Sequence, residues 1–282
     1  MRTSLRPLLE RDRCTIVPGA GDPLSALLAE QAGFEAVYMS GYYVCATMGM
    51  LDVGLVSSTE MFTQAARISE VVKVPLLVDA DTGYGNALNA IRTVAAYEAA
   101  GAAGMHLEDQ SLPKKCGHLD GIKMAPTAEM CRKIEACVDH RRNKDFLVIA
   151  RTDAIGTEGM ESAIQRGKAY SEAGADAIMI MAPRSLDDMK RFRDGVSGPL
   201  VCTVGSWPFE VDEKQLTQIG YSMALFTVST LRRSIVAMQE TLSRLRRDGG
   251  LSHEPPDMVS MNAMHQLLGQ QSIQEKEGRY AD

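Results

Sequence analysis

A short pattern recurs along the chain and constrains its fold more than any other feature. In four places a helix-like segment ends at a glycine, and an apolar run of strand-forming residues begins a few positions later. Glycine readily adopts the left-handed conformation that ends a helix. An unbroken apolar run is typical of a strand buried on both faces of a parallel sheet. The segments are EQAGFEAVYMS (30–40), EAAGAAGMHLE (98–108), EAGADAIMIM (172–181) and QIGYSMALFTV (218–228).

Four further apolar runs fit the same strand template, namely CTIVPGA (14–20), PLLVDAD (75–81), FLVIART (146–152) and PLVCTVG (199–205). Helical stretches are predicted between the strands at 23–32, 59–72, 87–100, 127–141, 158–173, 185–194 and 230–247. About eight alternations of strand and helix favour an α/β fold of the (β/α)8 barrel type over residues 1–247. An open doubly wound sheet is the alternative, but no GxGxxG motif opens the first helix.

The rhythm changes in residues 248–282, which are predicted to form a helical extension and a loose tail. The segment MVSMNAMHQLLGQQS places apolar side chains at helical spacing, a stripe that is more typical of a core or an interface than of a cofactor site. These side chains are Met258, Met261, Met264, Leu267 and Leu268. The terminal residues KEGRYAD are expected to be loose.

Charge and cysteine usage exclude several classes of protein. The 282 residues carry a net charge of -6, which argues against nucleic acid as the main partner. No apolar run approaches the roughly 20 residues that a membrane span needs, so no membrane partner is predicted. Arg11 and Arg13 fall where a signal peptide would need its apolar core. The six cysteines form neither a dense disulfide framework nor a Cys-x-x-Cys zinc pattern, so a cytoplasmic location with reduced thiols is expected.

Polar side chains gather where the predicted strands end, which is where barrels carry their catalytic groups. Strand three ends with Asp79 and Asp81, and strand four ends with His106 and Glu108. Residues two apart share a strand face, so each pair is expected to point into the barrel mouth. Converging carboxylates repel one another unless a cation neutralises them. All-oxygen ligation favours Mg²⁺ or Mn²⁺, although an isolated Asp-x-Asp is more often a cap or loop feature.

Two cationic or potentially cationic groups accompany these carboxylates. His106 and Arg151 are expected to hold the anionic part of a substrate. Each also has a simpler interpretation, since a single histidine is often a satisfied core residue and a single arginine is often an ion-pair partner. Only the convergence of several such groups at one barrel end favours the functional interpretation.

The stretch EDQSLPKKCGHLDGIK (108–123) places Cys116 among cations. Lys114, Lys115 and His118 are expected to lower the thiol pKa, because positive charge favours the thiolate. A cysteine with a pKa near neutrality suits proton transfer, and the glycines Gly117 and Gly121 suit a lid. A solvated basic loop is the alternative interpretation.

The stretches SGYYV, VDADTGYGN and LEDQSLPKKCGH, with ARTDA further on, resemble the isocitrate lyase and phosphoenolpyruvate mutase superfamily. The resemblance runs from about residue 10 to 247. It implies a (β/α)8 barrel whose last helix is exchanged between paired subunits, in a homotetramer built as a dimer of dimers. It also implies a Mg²⁺-dependent site (Mn²⁺ being possible) for 2-oxo and 2-hydroxy dicarboxylic acids.

The resemblance also implies roles for individual residues. Asp81 resembles the direct metal ligand, while Asp52, Asp79 and Glu108 resemble carboxylates that hold the metal's waters. Cys116 resembles the lyase general acid on a gating loop. Ser40 and Gly41 resemble the donors to the substrate carboxylate, Arg151 resembles the arginine near the reacting oxygen, and Tyr38 matches a tyrosine that could act as a base. His106 and His118 are also predicted to be catalytic. The further predicted substrate-binding residues are Tyr42, Gly117, His118 and Thr203.

The implied activity is carbon–carbon cleavage of a substituted malate, of the 2-alkylmalate or methylisocitrate type, to a 2-oxo acid such as pyruvate and a carboxylic acid. Met181 stands where methylisocitrate lyases carry Glu, and Thr203 where they carry Asn, which favours a smaller and less charged 2-alkylmalate. The alternatives are an oxaloacetate hydrolase or decarboxylase, a phosphonate-type mutase, and a non-catalytic protein that binds 2-oxo acids. The mutase branch lacks the Cys116 motif, which disfavours phosphorus–carbon chemistry.

Overall fold

Eight parallel strands close into a barrel in the computed structural model, which describes residues 4–205, 207–250 and 258–281. The first strand pairs with both the second and the eighth, so the sheet has no free edge. The (β/α)8 barrel is therefore confirmed and the open sheet is excluded. The strands are β1 Thr15–Ala20, β2 Val37–Met39, β3 Leu76–Asp79, β4 Gly104–Glu108, β5 Leu147–Thr152, β6 Ala177–Ile180, β7 Leu200–Val204 and β8 Met223–Phe226.

The seven predicted helices are all present, with ends within two residues of the prediction. They are α2 Pro23–Gln31, α4 Ser58–Val71, α5 Ala87–Ala100, α6 Thr127–His140, α8 Met160–Glu172, α9 Leu186–Gly195 and α11 Ser229–Asp248. The described chain also forms α1 Arg6–Leu9, α3 Gly41–Thr47, α7 Ala154–Thr157, α10 Glu213–Ile219, α12 Met261–Leu267 and α13 Gln270–Tyr280.

The glycines of the recurring pattern end helices as predicted. Gly101 ends α5 at φ 86°, and Gly220 ends α10 at φ 97°, both in the left-handed region. The apolar strand follows within three residues in each case. The local sequence thus fixes where the chain leaves the outer helical layer and enters the barrel.

Apolar side chains at alternate strand positions point inward and fill the barrel interior. In β5, for example, Leu147 and Ile149 pack inside the barrel, whereas Val148 and Ala150 pack against the surrounding helices. Leu5, Leu8 and Leu9, in and just before α1, belong to the inner cluster and are buried. Because apolar residues fill the interior, the polar groups at the carboxyl ends of the strands are left as the place for chemistry.

Contacts divide the chain into two compact units, the first ending at Leu231 and the second beginning at Arg232 within α11. The predicted boundary at 247 lies at the end of that helix. In the second unit, α13 runs to Tyr280, so the described part of the KEGRYAD segment is helical up to Tyr280. That this tail is loose stays a prediction. Gln271 stabilises this helix by donating to Glu275 one turn further on, at 3.1 Å.

The apolar stripe of the second unit is exposed: Met258, Met261, Met264 and Leu268 each show 41% or more of their surface. Its role in an interface stays a prediction. Within the described ranges, no helix combines the length and the apolar character that crossing a bilayer requires.

Candidate active site

The polar residues predicted from the sequence meet at the carboxyl ends of β2 to β5. The strand register places Asp79 beside His106 and Glu108 beside Arg151. All four residues are buried, with at most 6% of their surface exposed. Ionisable groups that share a buried strand end in this way interact strongly, because little water screens them.

The Asp79 carboxylate accepts three hydrogen bonds. They come from the Tyr38 hydroxyl at 3.2 Å, the Gly41 amide at 3.2 Å and the Asp81 amide at 3.0 Å. Burial opposes ionisation of Asp79, but nearby positive charges outweigh it and lower the pKa to about 2. Asp79 is therefore a fixed anion at neutral pH.

Gly41 is packed too tightly against this carboxylate for any side chain. A Cβ at Gly41 would lie 2.7 Å from Asp79 Oδ2. Ser40 precedes it as the N-cap of α3, with its hydroxyl accepting from the Tyr43 amide at 3.4 Å. Gly41 thus lies directly beside the Asp79 carboxylate, and Ser40 precedes it in the chain. Tyr42 is 39% exposed, and its substrate-binding role stays a prediction.

Lys114, which was not predicted as a site residue, places a positive charge in the acidic cluster that Asp52, Asp79, Asp81 and Glu108 form. The Lys114 ammonium lies 2.5 Å from Asp52 Oδ1 and 2.5 Å from Asp81 Oδ1, and only 3% of the residue is exposed. Burial works against this charge, but the surrounding carboxylates raise the Lys114 pKa well above its ordinary value. The chain itself therefore supplies a cation of the kind that converging carboxylates require.

Asp81 is placed by a turn and not by strand alternation. β3 ends at Asp79, and Asp81 follows it in the left-handed region at φ 46°, an uncommon conformation for a residue with a side chain. The expectation that Asp79 and Asp81 share a strand face is corrected accordingly. Burial raises the pKa of Asp81 to about 6, with Lys114 acting in the opposite direction.

Glu108 and Arg151 form the neighbouring half of the site. Arg151 lies 3.3 Å from Glu108 Oε2 and donates to Asp153 Oδ1 at 2.9 Å. Burial raises the pKa of Glu108 well above its ordinary value. Its other oxygen, Oε1, is buried without a hydrogen-bond partner in the protein. Such an oxygen favours a donor or a cation from a bound group.

His106 is a neutral residue in this arrangement. It is fully buried, its Nε2 lies 2.8 Å from the Tyr38 hydroxyl, and burial lowers its pKa to about 4. A neutral imidazole can still donate a hydrogen bond to an anion, so the role of His106 in holding the anionic part of a substrate stays a prediction. Burial also raises the pKa of Tyr38 well above its ordinary value, so Tyr38 is a phenol here and its role as a base stays a prediction.

Cys116 is a buried thiol and not part of a solvated loop. It is 8% exposed, and its amide donates to the Asp52 carbonyl at 2.9 Å. Burial raises the pKa of the Cys116 thiol, so the expected lowering is wrong. The two nearby lysines have other partners: Lys114 binds the carboxylates, and Lys115 Nζ donates to the Asp120 carbonyl at 3.0 Å. Burial lowers the pKa of His118, which disfavours a positive charge on its ring. A protonated thiol suits a proton donor.

The loop that carries Cys116 is tied at its base. Gln110 and Met124 form an antiparallel bridge, and the Ser111 amide donates to the Lys123 carbonyl at 2.7 Å. The loop tip packs on the barrel rim through Gly117, whose hypothetical Cβ would lie 2.7 Å from an Arg151 nitrogen, 2.8 Å from Met181 Cε and 2.9 Å from Asp153 Oδ1.

Gly117→Ala is therefore expected to displace the loop and lower turnover by about 10²-fold, the usual cost of a shift of about 1 Å at a reacting group. The measurement is the steady-state rate with the substrate predicted from the sequence, a substituted malate. Gly156→Ala is the matched control, because a Cβ at Gly156 meets nothing within 4 Å. Equal activity of both variants would contradict the close packing at Gly117.

Met181 and Thr203 form the wall next to Gly117. The Thr203 hydroxyl lies 2.9 Å from Met181 Sδ, and both residues are at most 5% exposed. The thiol-bearing loop thus faces a largely apolar wall. Thr203 stays a predicted substrate contact.

The donor set fits a hard divalent cation. Carboxylate oxygens are offered by Asp52, Asp79, Asp81 and Glu108. One of these oxygens, Glu108 Oε1, is buried without a hydrogen-bond partner in the protein. Among the described residues, no three His, Cys, Asp or Glu side chains are already arranged to bind a metal directly. Mg²⁺ prefers oxygen ligands and binds through one or two carboxylates with waters completing its coordination, so these carboxylates fit the predicted Mg²⁺ site.

Sequence reasoning missed three residues of this site. Lys114 was predicted only to act on the thiol, and Asp153 and Gln110 were given no role. The convergence of carboxylates was the signal for a cation such as Lys114. Asp153 follows Arg151 at the two-residue spacing that indicated the other pairs.

Residues 5–246 match the family model described as phosphoenolpyruvate phosphomutase. The chain belongs to the phosphoenolpyruvate mutase and isocitrate lyase superfamily. The match spans more than four fifths of the sequence, and it agrees with the superfamily indicated by the motifs. The matched range includes both the loop that carries Cys116 and the acidic cluster.

Named relatives in this family extend the comparison. The chain is 40% identical to a 2,3-dimethylmalate lyase of Eubacterium barkeri over 98% of its length and 97% of the relative's. It is 38% identical to a 2-methylisocitrate lyase of Aeropyrum pernix, covering 97% and 89% of the two chains. It is also similar to the solved structure of a phosphonopyruvate hydrolase with oxalate and Mg²⁺, with a TM-score of 0.92, 32% identity and coverage of 99% and 98%.

Proposed function

We propose that this protein is a Mg²⁺-dependent carbon–carbon lyase that cleaves a substituted malate to a 2-oxo acid and a carboxylic acid. The observation that carries the proposal is the position of Cys116: a buried, protonated thiol on a tied loop whose neighbours contact the acidic cluster. Among the named relatives, those described as lyases of dimethylmalate and methylisocitrate support the same chemistry.

Asp52, Asp79, Asp81 and Glu108 would hold the metal, with Mn²⁺ as a possible replacement. When bound, the ion supplies Lewis-acid polarisation of the C2 oxygen and the adjacent carboxylate of the substrate. The fixed charge of Asp79 and the unpartnered oxygen of Glu108 support this assignment.

The chain's own residues orient the substrate. Ser40 and Gly41, at the start of α3, would donate to the carboxylate of the 2-oxo acid half. Arg151 would face the reacting oxygen with a guanidinium whose position is fixed by Glu108 and Asp153. Its fixed geometry means that little reorganisation is needed during the reaction.

The reaction follows a retro-aldol course. A base removes the proton of the C2 hydroxyl, the C2–C3 bond breaks, and C2 becomes the carbonyl carbon of the 2-oxo acid. The electron pair of the broken bond stays on C3, next to a carboxylate. The Cys116 thiol then gives its proton to C3, which completes the carboxylic acid and leaves a thiolate. The base releases the proton of the C2 hydroxyl to solvent, and the thiolate takes up a proton from solvent to become a thiol again. Burial under the loop keeps the carbanion from competing proton donors.

Uncharged side chains at the wall favour a 2-alkylmalate as the substrate. Met181 and Thr203 carry no charge. Met181 packs against Gly117, the residue that follows Cys116 in the chain, and Thr203 packs against Met181. The substituents of the substrate's third carbon would face this wall, because C3 must reach Cys116. Burying an alkyl group against this wall costs less free energy than burying a further carboxylate there.

A substrate panel tests the proposal. The purified protein with Mg²⁺ is expected to release 2-oxo acid from 2,3-dimethylmalate or 2-methylisocitrate faster than from isocitrate, and removal of Mg²⁺ by EDTA should abolish the release. Oxaloacetate and phosphonopyruvate are the comparison substrates. Preferential turnover of oxaloacetate to oxalate would move the protein to the hydrolase branch, and turnover of phosphonopyruvate would move it to the mutase branch.

Two further assignments belong to the same proposal. We infer a homotetramer, in which the exposed stripe of Met258, Met261 and Met264 would be covered by another subunit, and a cytoplasmic location. Light scattering of the purified full chain tests the first, with a mass of about four chains as the expected result.

A further inference from the structure

We propose that Gln110 is a positioning residue that holds the Cys116 loop over the barrel mouth by linking its backbone to Asp153. The catalytic consequence rests on the proposed function, whereas the structural link is testable without it. Gln110 lies at the start of the loop and is 1% exposed. A fully buried amide side chain needs partners for its donors and its acceptor.

The Gln110 amide binds the backbone of one loop residue at two points. Its Oε1 accepts from the Lys115 amide at 2.9 Å, and its Nε2 donates to the Lys115 carbonyl at 2.9 Å. This paired contact mimics a strand pairing and fixes the peptide groups on both sides of Lys115. The next residue along the chain is Cys116, so the contact sets the direction in which the thiol-bearing backbone leaves.

The second proton of Nε2 ties the loop to the catalytic rim. It is donated to Asp153 Oδ2 at 3.0 Å, while Asp153 Oδ1 accepts from Arg151 at 2.9 Å. One oxygen of the Asp153 carboxylate thus accepts from Gln110 of the loop, and the other accepts from the Arg151 guanidinium. Gln110 therefore fixes Cys116 relative to Arg151 and not only relative to the loop.

The contacts on either side of the thiol complete the restraint. The Cys116 amide donates to the Asp52 carbonyl at 2.9 Å, and Gly117 packs on Arg151 and Asp153. Three consecutive residues are thus held to three parts of the site. Of the polar side chains, an amide alone offers one acceptor and two donors in this planar arrangement, so no other residue type reproduces all three bonds.

Gln110→Met tests the link, because it keeps the approximate volume and removes the three hydrogen bonds. Turnover of the cleaved malate is expected to fall about 10²-fold through kcat, since the thiol loses its alignment. KM is expected to change by less than about threefold, because the predicted metal and carboxylate-binding residues keep their places. The independent readout is the rate at which iodoacetamide alkylates Cys116, followed by peptide mass spectrometry, which is expected to rise about tenfold as the loop opens.

Gln64→Met is the matched control. Gln64 is also buried, at 7% exposure, and its amide donates to the Gly21 carbonyl at 2.7 Å. It is expected to lower the melting temperature without raising Cys116 alkylation. Should Gln110→Met fail to fold, Gln110→Asn is measured in the same way, since its shorter side chain cannot span both partners.

Unchanged Cys116 alkylation in a folded Gln110 variant would overturn the positioning role, whatever the activity. Faster alkylation in a protein whose wild type cleaves none of the tested malates would support the link and reject the proposed function. The two failures are thereby distinguishable.

Discussion

Cys116→Ser is expected to lower the turnover of the cleaved malate by about 10²- to 10⁴-fold, the usual contribution of a positioned acid. The hydroxyl that replaces the thiol is a far weaker acid, so it cannot protonate the carbanion at C3 at a comparable rate. KM is expected to stay close to the wild-type value, because no predicted metal or carboxylate contact is removed. Steady-state release of the 2-oxo acid from 2,3-dimethylmalate gives both constants.

Cys131→Ser is the control for this experiment. Cys131 lies on α6, outside the predicted site, and its Sγ lies 3.7 Å from the Ala169 carbonyl. Wild-type turnover is expected. Undiminished turnover in Cys116→Ser would contradict a thiol acid, and turnover of oxaloacetate that is indifferent to the substitution would favour the hydrolase branch.

The fold follows from the sequence because its signals are local and repeated. Gly101 and Gly220 end helices by backbone conformation alone, and the apolar runs after them can be satisfied only inside a sheet covered on both faces. The short helices α3 and α7 have seven and four residues, too few to show a periodic pattern, so they were not predicted.

The acidic cluster was predictable for a related reason. His106 and Glu108 lie two apart in one strand, and their neighbours in adjacent strands are set by the register of the barrel. Which cation balances the cluster was not predictable, because it depends on the path of a loop that contains no regular structure. Lys114 and Lys115 are adjacent in the sequence, yet one is buried among carboxylates and the other donates to an exposed carbonyl.

The state of the thiol depends on burial, which composition does not reveal. The sequence around Cys116 is rich in positive charge and predicts a lowered pKa. In the folded protein desolvation is the largest effect, and the lysine charge that should have favoured the thiolate is neutralised by Asp52 and Asp81. The same residues therefore support a proton donor instead of a preformed thiolate.

Lys114→Met is expected to destabilise the metal-free protein by about 3–5 kcal/mol, because it leaves Asp52 and Asp81 buried without their cation. For a chain of this size the melting temperature should fall on the order of 10 °C in EDTA. Addition of Mg²⁺ should restore more stability to the variant than to the wild type, since the ion would bind carboxylates that no ammonium then occupies. Thermal unfolding in EDTA and in Mg²⁺ measures both effects without any substrate.

Lys133→Met separates this effect from the general loss of a buried lysine. Lys133 is 4% exposed, and its ammonium lies 3.3 Å from Glu129 and 3.2 Å from the Thr82 carbonyl. It should lower the melting temperature equally in EDTA and in Mg²⁺, because Glu129 lies outside the predicted metal site. An equal Mg²⁺ response of Lys114→Met and the wild type would mean that the ammonium and the ion do not share these carboxylates. A larger response confined to Lys114→Met would mean that the Lys114 ammonium and the ion compete for the carboxylates of Asp52 and Asp81.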